Sequence, residues 1–437
     1  MTSITQLYTH FKAHPRVVTD SRKVTEGALY FALKGPRFNG NDYAEQALEK
    51  GAAFAIIDEP KFNLGDRYVL VDNVLETLQQ LALHHRRQFE IPLLAITGSN
   101  GKTTTKELLS KVLKSHYSTY FTKGNFNNHI GVPLTLLGMP KETEVAIIEM
   151  GANHVEEIHF LCTLAEPTHG LITNIGKAHL EGFGGLEGVK KGKSELYHYL
   201  KAHKGTLFIN REERFLMDLA PDQVYKVIYG ESQSPDSQSM ILETKLVSTN
   251  PFIQIGFMDG DEEILVKTKL KGDYNFNNVM TAAALGVYFK VPALKIKEAL
   301  EDYLPSNNRS QLLTVGSNTF FLDAYNANPD SMRKALINFA KADEASKIAI
   351  IGDMLELGEY SETEHLEMLR FAEKLELDQV ITVGVEFEKV KIDLVNRLHF
   401  TNVQELKEWF DQQNFEDKYL LLKGSRGIGL EKLVAKV

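Results

Sequence analysis

Residues 93 to 110, Leu-Leu-Ala-Ile-Thr-Gly-Ser-Asn-Gly-Lys-Thr-Thr-Thr-Lys-Glu-Leu-Leu-Ser, leave the chain few ways to fold. Leu93, Leu94, Ala95 and Ile96 form a short apolar run of buried-strand type, and Leu108, Leu109, Val112 and Leu113 recur at helical spacing. Between them lie Gly98, Ser99, Asn100, Gly101, Lys102, Thr103 and Thr104. A strand feeding a helix through such a loop aims backbone N–H groups and the positive helix end at phosphate oxygens. Lys102 is then placed for the terminal phosphates and a hydroxyl for Mg²⁺. The loop has two residues between its first glycine and the Gly-Lys pair, where the common pattern has four. The alternative is a glycine-rich turn before a helix. Strand, loop, Gly-Lys-Thr and helix together favour a nucleoside triphosphate site.

At 437 residues the chain exceeds what one core supports, so several domains are expected. A net charge of −9 argues against a general nucleic-acid or membrane-surface binder, although a basic pocket for a small anion remains open. The single cysteine, Cys162, excludes an intrachain disulfide and a Cys-based metal site. The first residues lack a basic start followed by an apolar run, and no stretch approaches about 18 apolar residues, so a cytoplasmic location is expected.

Residues 1–83 alternate short strand and helix patterns, with a strand over 28–33 and a helix over 43–50 stopped by Gly51. Ser21 and Arg22 precede that strand, and a polar loop over 34–41 follows it. Such a pair and loop could hold a diphosphate; equally they make a helix cap and a solvated turn. A helix over 74–88 ends in His84, His85, Arg86 and Arg87, a cluster that the helix dipole explains without a ligand. A domain boundary is placed there.

From 84 to 305 strands and helices alternate, which calls for a mostly parallel sheet with ligands at the carboxyl ends of its strands. The strand over 144–148 delivers Glu149 to such an end, and the one over 168–175 delivers Asn174 and then His179. A carboxylate and an imidazole there suit a divalent cation, although imidazole is an unusual ligand for Mg²⁺. Lys190, Lys191 and Lys193 read by composition as a solvated helix face. Between 230 and 271 the pattern becomes hairpins, an antiparallel appendage with strands over 240–248, 252–258 and 263–270. Asn275 and Asn278 then open a helix, as caps or as amides facing a purine. Residues 306–437 alternate again, as a Rossmann-like domain with polar strand ends at 323–331, 352–358 and 423–427.

Taken together, Thr97 to Thr105 with the short loop spacing, Glu149, His179, Asn275 with Asn278, Arg309 and Asp323 resemble the ATP-dependent Mur ligases and their folylpolyglutamate synthetase relatives. Residues 124–133, Gly-Asn-Phe-Asn-Asn-His-Ile-Gly-Val-Pro, and the motifs at 323–332, 352–358 and 423–427 narrow the resemblance. They point to the branch of that family that adds D-alanyl-D-alanine to UDP-N-acetylmuramoyl-tripeptide. The resemblance covers the whole chain and implies three α/β domains. These are a small N-terminal domain (1–83) for the UDP substrate, a central P-loop ATPase-like domain (84–305) and a C-terminal Rossmann-like ligase domain (306–437).

It further implies roles. Gly98 to Thr104 hold ATP, with Lys102 on the phosphates and Thr103, Glu149, His179 and Lys193 on Mg²⁺. Lys193 matches the family lysine that CO₂ converts to a carbamate, turning a cation into a ligand. Lys102, Glu149, His179 and Lys193 form the catalytic set. Asn275 and Asn278 lie near the adenine; Arg309, Asp323, Tyr325 and Asn326 bring the third domain onto the nucleotide. Substrate contacts fall to Ser21, Arg22, Asn127, Asn328, Ser331, Lys423, Ser425 and Arg426. One departure concerns the first-domain loop, where a family-like Asp-Gly-His is Asn39-Gly40-Asn41. Hinge-type closure of the third domain near residues 305–308, a monomer, and small-molecule substrates with neither nucleic acid nor membrane as partner complete the expectation. Rival readings are another ligase of the group that adds a single amino acid, a nucleotide-driven switch, and a degenerate ligase fold that only binds UDP-sugars.

Overall fold

The structure, a computed structural model, describes residues 2–231, 240–305, 308–344, 346–392 and 396–434. Its strands among these residues assemble into three main sheets in chain order. The first is a four-stranded parallel sheet of Val17–Val18, Leu29–Phe31, Phe54–Ile57 and Tyr68–Leu70. The loop expected over 34–41 is a hairpin, Lys34–Gly35 paired with Phe38–Asn39. Helix Val74–Arg86 then runs unbroken from the first sheet toward the second.

In the nine-stranded central sheet, six parallel strands lie in the order Tyr225–Glu231, Thr206–Asn210, His169–Ile172, Leu93–Thr97, Val145–Glu149 and Thr119–Phe121. Strand Leu93–Thr97 is buried on both faces, as a parallel strand between helical layers must be. Its alternate residues serve two cores. Leu94 and Ile96 pack with Leu108 and Leu109 of helix Lys102–Lys114 and with Val279 of helix Phe276–Tyr288. Leu93 and Ala95 face Leu136, Leu161 and Leu196 on the opposite side. Helices Lys102–Lys114 and Phe276–Tyr288 approach closely because Ala282, Ala283 and Gly286 present almost no side chain; a Cβ on Gly286 would sit 2.7 Å from Val112.

The antiparallel segment continues this same sheet. Met240–Ser248 pairs in parallel with Tyr225–Glu231, and Gln254–Asp259 and Glu262–Lys267 then add antiparallel. The third sheet orders Gln311–Val315, Asn318–Leu322, Tyr419–Lys423, Lys347–Gly352, Gln379–Val383 and Arg397–Phe400, parallel except for the first pair. Among the described residues no helix is long and apolar enough to cross a membrane. Of the expected hinge, residues 306 and 307 lie outside the described residues.

In the basic cluster at the end of helix Val74–Arg86, Arg87 is exposed, as a last-turn cation suiting the dipole can be, but two members are buried. Arg86 is buried, and its guanidinium donates to the carbonyls of Phe89 (2.8 Å), Ala165 (2.9 Å) and Glu166 (3.1 Å). The last two carbonyls close helix Glu157–Ala165, whose end they would otherwise leave unsatisfied. His85, also buried, contacts the Met139 carbonyl at 3.3 Å. The end of the helix that leaves the first unit is thereby fastened to the second.

Candidate active site

The loop after strand Leu93–Thr97 depends on two glycines. Gly98 has φ +139° and Gly101 φ +80°, and a Cβ on them would lie 2.0 Å from Thr173 Oγ1 and 2.5 Å from Asn278 Oδ1. Backbone and neighbours both demand glycine. The neighbouring strand end straps the loop in place. Asn100 N donates to Asn174 Oδ1 (2.9 Å), while Thr173 Oγ1 (2.6 Å) and Asn174 Nδ2 (3.0 Å) donate to the Asn100 carbonyl. Ser99 Oγ exchanges hydrogen bonds with Gly176. Lys102 begins helix Lys102–Lys114 and donates to the carbonyls of Gly98 and Ser99.

One turn into that helix the site acquires its buried charges. Glu149, 2% exposed, accepts from Thr103 Oγ1 (3.0 Å) and Asn127 Nδ2 (2.9 Å) and pairs with Lys106 Nζ at 3.2 Å. Burial alone would raise its pKa, but Lys106, Lys102 and the Asn127 amide outweigh burial and hold it below the ordinary carboxylate range. Glu149 is thus an ionised carboxylate beside a threonine hydroxyl at a helix start. Lys102 is held below the usual ammonium range by burial, which Glu149 partly offsets and Arg309 reinforces.

The third sheet supplies the opposite wall. Arg309 stacks 3.5 Å from the centroid of the Tyr325 ring, and Lys423, almost fully buried, pairs with Asp323 at 2.8 Å. Asp323 also accepts from Ser310 N (3.3 Å), and Ser310 Oγ meets Tyr274 OH (2.8 Å) and Asn275 Nδ2 (3.2 Å). Asn275 Oδ1 in turn accepts from Asn278 Nδ2 at 2.9 Å. Asn328 Nδ2 donates to Asn100 Oδ1 at 2.8 Å, so a side chain of the third unit rests on the phosphate loop itself. The walls enclose a cavity of about 490 Å³, lined by Ser99 to Thr104, Asn127, Glu149, His179, Asn275, Asn278, Arg309, Asp323, Tyr325, Asn326, Asn328, Ser331 and Lys423.

Family models match the chain in three consecutive pieces: the Mur ligase family catalytic domain at 16–86, the Mur ligase middle domain at 96–286, and the Mur ligase glutamate ligase domain at 308–426. The chain belongs to the Mur ligase family. The UDP-N-acetylmuramoyl-tripeptide–D-alanyl-D-alanine ligase of Bacillus subtilis is 35% identical over 96% of this chain and 92% of its own length. Crystal structures of MurF from Acinetobacter baumannii (28% identical, TM-score 0.84, 99% and 98% of the two chains) and from Thermotoga maritima in complex with ADP (25%, 0.83, 100% and 98%) superpose along the whole molecule. This Mur ligase is accordingly an ATP-dependent, amide-forming enzyme with three α/β domains.

Not every residue singled out in the sequence reaches the cavity. Ser21 is buried in the first domain, its carbonyl accepting from Lys50 Nζ, and Arg22 lies exposed with its guanidinium folded onto Asp20. Ser425 is buried between strand ends, its Oγ accepting from Leu355 N (2.9 Å), and Arg426 lies 5.4 Å from the Tyr325 ring. The Asn39-Gly40-Asn41 departure is held by the segment after strand Phe54–Ile57, since Asn41 is 1% exposed and exchanges hydrogen bonds with Asp58, and Asn39 Nδ2 donates to Glu59. Lys193 overturns the compositional reading. It is 1% exposed, donates to the Ala152 carbonyl at 3.1 Å, and has no carboxylate at ion-pair distance among the described residues. Burial, with repulsion from Lys102, drives its pKa well below that of an ordinary lysine.

Sequence reasoning passed over Lys106, Tyr274 and Ser310. Only Lys106 left a trace, one helical turn after Lys102 on the same face.

Replacing Gly98 by alanine forces a Cβ against Thr173 and a disfavoured φ. The expected outcome is at least a hundredfold loss of ADP affinity by calorimetry with the circular dichroism spectrum unchanged. Affinity within twofold of wild type would contradict this account of the loop.

Proposed function

We propose that this chain joins D-alanyl-D-alanine to UDP-N-acetylmuramoyl-tripeptide with ATP, in the cytoplasmic synthesis of a peptidoglycan precursor. The supporting observation is that the phosphate loop of the central domain and the 323–331 motif of the third line one cavity. A carboxylate and an amine do not condense in water until the carboxylate oxygen becomes a leaving group. The tripeptide carboxylate attacks the γ-phosphorus of ATP and ADP departs. The dipeptide amine then attacks the acyl phosphate, and inorganic phosphate leaves with one oxygen of the original carboxylate.

The protein contributes position and charge. The loop Gly98 to Thr104 receives the phosphates, through the N–H groups at the start of helix Lys102–Lys114 and the Lys102 ammonium. Asn275 and Asn278 flank the adenine, and Arg309, Asp323, Tyr325 and Asn326 bring the third domain against the nucleotide. Ser21 and Arg22 contact the UDP end, while Asn127, Asn328, Ser331, Lys423, Ser425 and Arg426 serve the peptide substrates directly or by shaping the loops that do. The working division is 1–83, 84–305 and 306–437. The third domain closes about residues 305–308 on a monomeric enzyme and keeps water from the acyl phosphate.

Thr103 and Glu149 fit Mg²⁺, an oxygen-seeking ion that takes few protein ligands and completes its shell with phosphates and water. His179 and a carbamylated Lys193 would hold a second ion, and bound Mg²⁺ neutralises charge that builds on the transferred phosphoryl group. Lys193 suits carbamylation because only a neutral amine adds to CO₂, and its buried setting favours the neutral form.

Incubation with ATP, Mg²⁺, D-alanyl-D-alanine and UDP-muramoyl-tripeptides is expected to give a dipeptide-extended product by mass spectrometry, with ADP and phosphate in equal amounts. Formation of ADP with the muramyl peptide unextended, or extension by single amino acids only, would overturn the proposal. Stripping CO₂ from the buffer is expected to lower the rate at least tenfold and bicarbonate to restore it, whereas Lys193→Ala stays slow in both; a wild-type rate indifferent to CO₂ would exclude the carbamate.

A further inference from the structure

The segment 176–181 of the central domain is gripped by three carboxylates of the third. Lys177 N donates to Asp330 Oδ2 (2.7 Å), Lys177 Nζ pairs with Glu364, and His179 Nδ1 lies 2.7 Å from Glu356 Oε2. The first two are docking contacts. The third differs because it ends on the imidazole that faces the cavity.

His179 Nδ1 is sealed from solvent and lies close to Glu356 Oε2 without the alignment of a hydrogen bond. The ring lines the cavity, so Nε2 is the nitrogen left to face it. The backbone at Glu356 is firmly placed, while its side chain is about half exposed. The N–H of Met354 donates to Nε2 of the buried His365 (3.0 Å), and that of Leu355 to Ser425 Oγ (2.9 Å). Its own carbonyl accepts from Glu181 N at 3.2 Å. Both facing residues are left-handed without being glycine, His179 at φ 53° and Glu356 at φ 65°. Such conformations persist only where the surroundings impose them. Imidazoles that bind metals are commonly steered by a carboxylate on the other ring nitrogen.

We propose that Glu356 is a positioning residue for His179. It turns the imidazole so that Nε2 points into the cavity. The inference rests on the reading of His179 as a metal-site residue.

The test titrates Mn²⁺ into the full-length protein with ADP present and follows free Mn²⁺ by electron paramagnetic resonance. Wild type is compared with Glu356→Ala, Glu356→Gln, Glu364→Gln and His179→Ala. Glu356→Ala is expected to bind the His179-dependent ion about tenfold more weakly, Glu356→Gln less so, and Glu364→Gln, which loosens docking without touching the imidazole, within twofold of wild type. Should Glu356→Ala lower the thermal midpoint sharply, Glu356→Gln alone carries the comparison. Wild-type affinity in both Glu356 variants alongside a loss in His179→Ala would overturn the inference and leave the function intact. Equal losses in Glu356→Ala and Glu364→Gln would reduce Glu356 to a docking contact, which also overturns it. Undiminished affinity in His179→Ala would instead remove the reading on which it rests.

Discussion

A carboxylate that stays ionised with 2% of its side chain exposed must be surrounded by compensation, and the site is arranged around that requirement. Glu149 takes its compensation from Lys106, Lys102, Thr103 and Asn127, three of them on one helix and the fourth on the loop after strand Thr119–Phe121. The helix must therefore start where it does, beside the end of strand Val145–Glu149. That fixes the phosphate loop between adjacent strands and the cavity at their carboxyl ends, where a parallel sheet leaves its crevice. A hydroxyl, an ionised carboxylate and helix-start N–H groups stand together there, a set whose chemistry complements a cation and phosphates.

The second constraint is that one chemical event needs groups from different domains. Asn328 on the phosphate loop and Arg309 against Tyr325 put the third domain's contribution within the same 490 Å³ as Lys102 and Glu149. At the other junction helix Val74–Arg86 leads out of the first domain and ends on Arg86, which donates to carbonyls of the second. Enclosure matters for an acyl phosphate, which water would otherwise consume.

The parts of this arrangement that were legible in the sequence are those whose signal is local. Strand Leu93–Thr97, the glycines and helix Lys102–Lys114 follow one another within 22 residues, and their apolar spacing declares each element. Lys193 was misread by composition because three lysines in four positions look solvated, whereas the helix turns Lys191 outward and Lys193 inward. Periodicity alone could have separated them, since Lys193 shares its face with Val189, Leu196 and Tyr197. Pairing between distant segments stayed hidden. Nothing near Met240 announces that its strand joins Tyr225–Glu231 in parallel, and nothing near Lys106 announces a partner at Glu149. The family resemblance supplied His179 and Lys193 as site residues. What it did not supply is the third domain's grip on segment 176–181, because that grip is tertiary.

At the centre stands the claim that ATP makes a substrate carboxylate into a leaving group. Labelling both oxygens of the tripeptide's terminal carboxylate with ¹⁸O tests it most directly, through the mass of the phosphate released during ligation. Transfer of one ¹⁸O into each phosphate is the predicted result; unlabelled phosphate accompanying product formation would contradict the account.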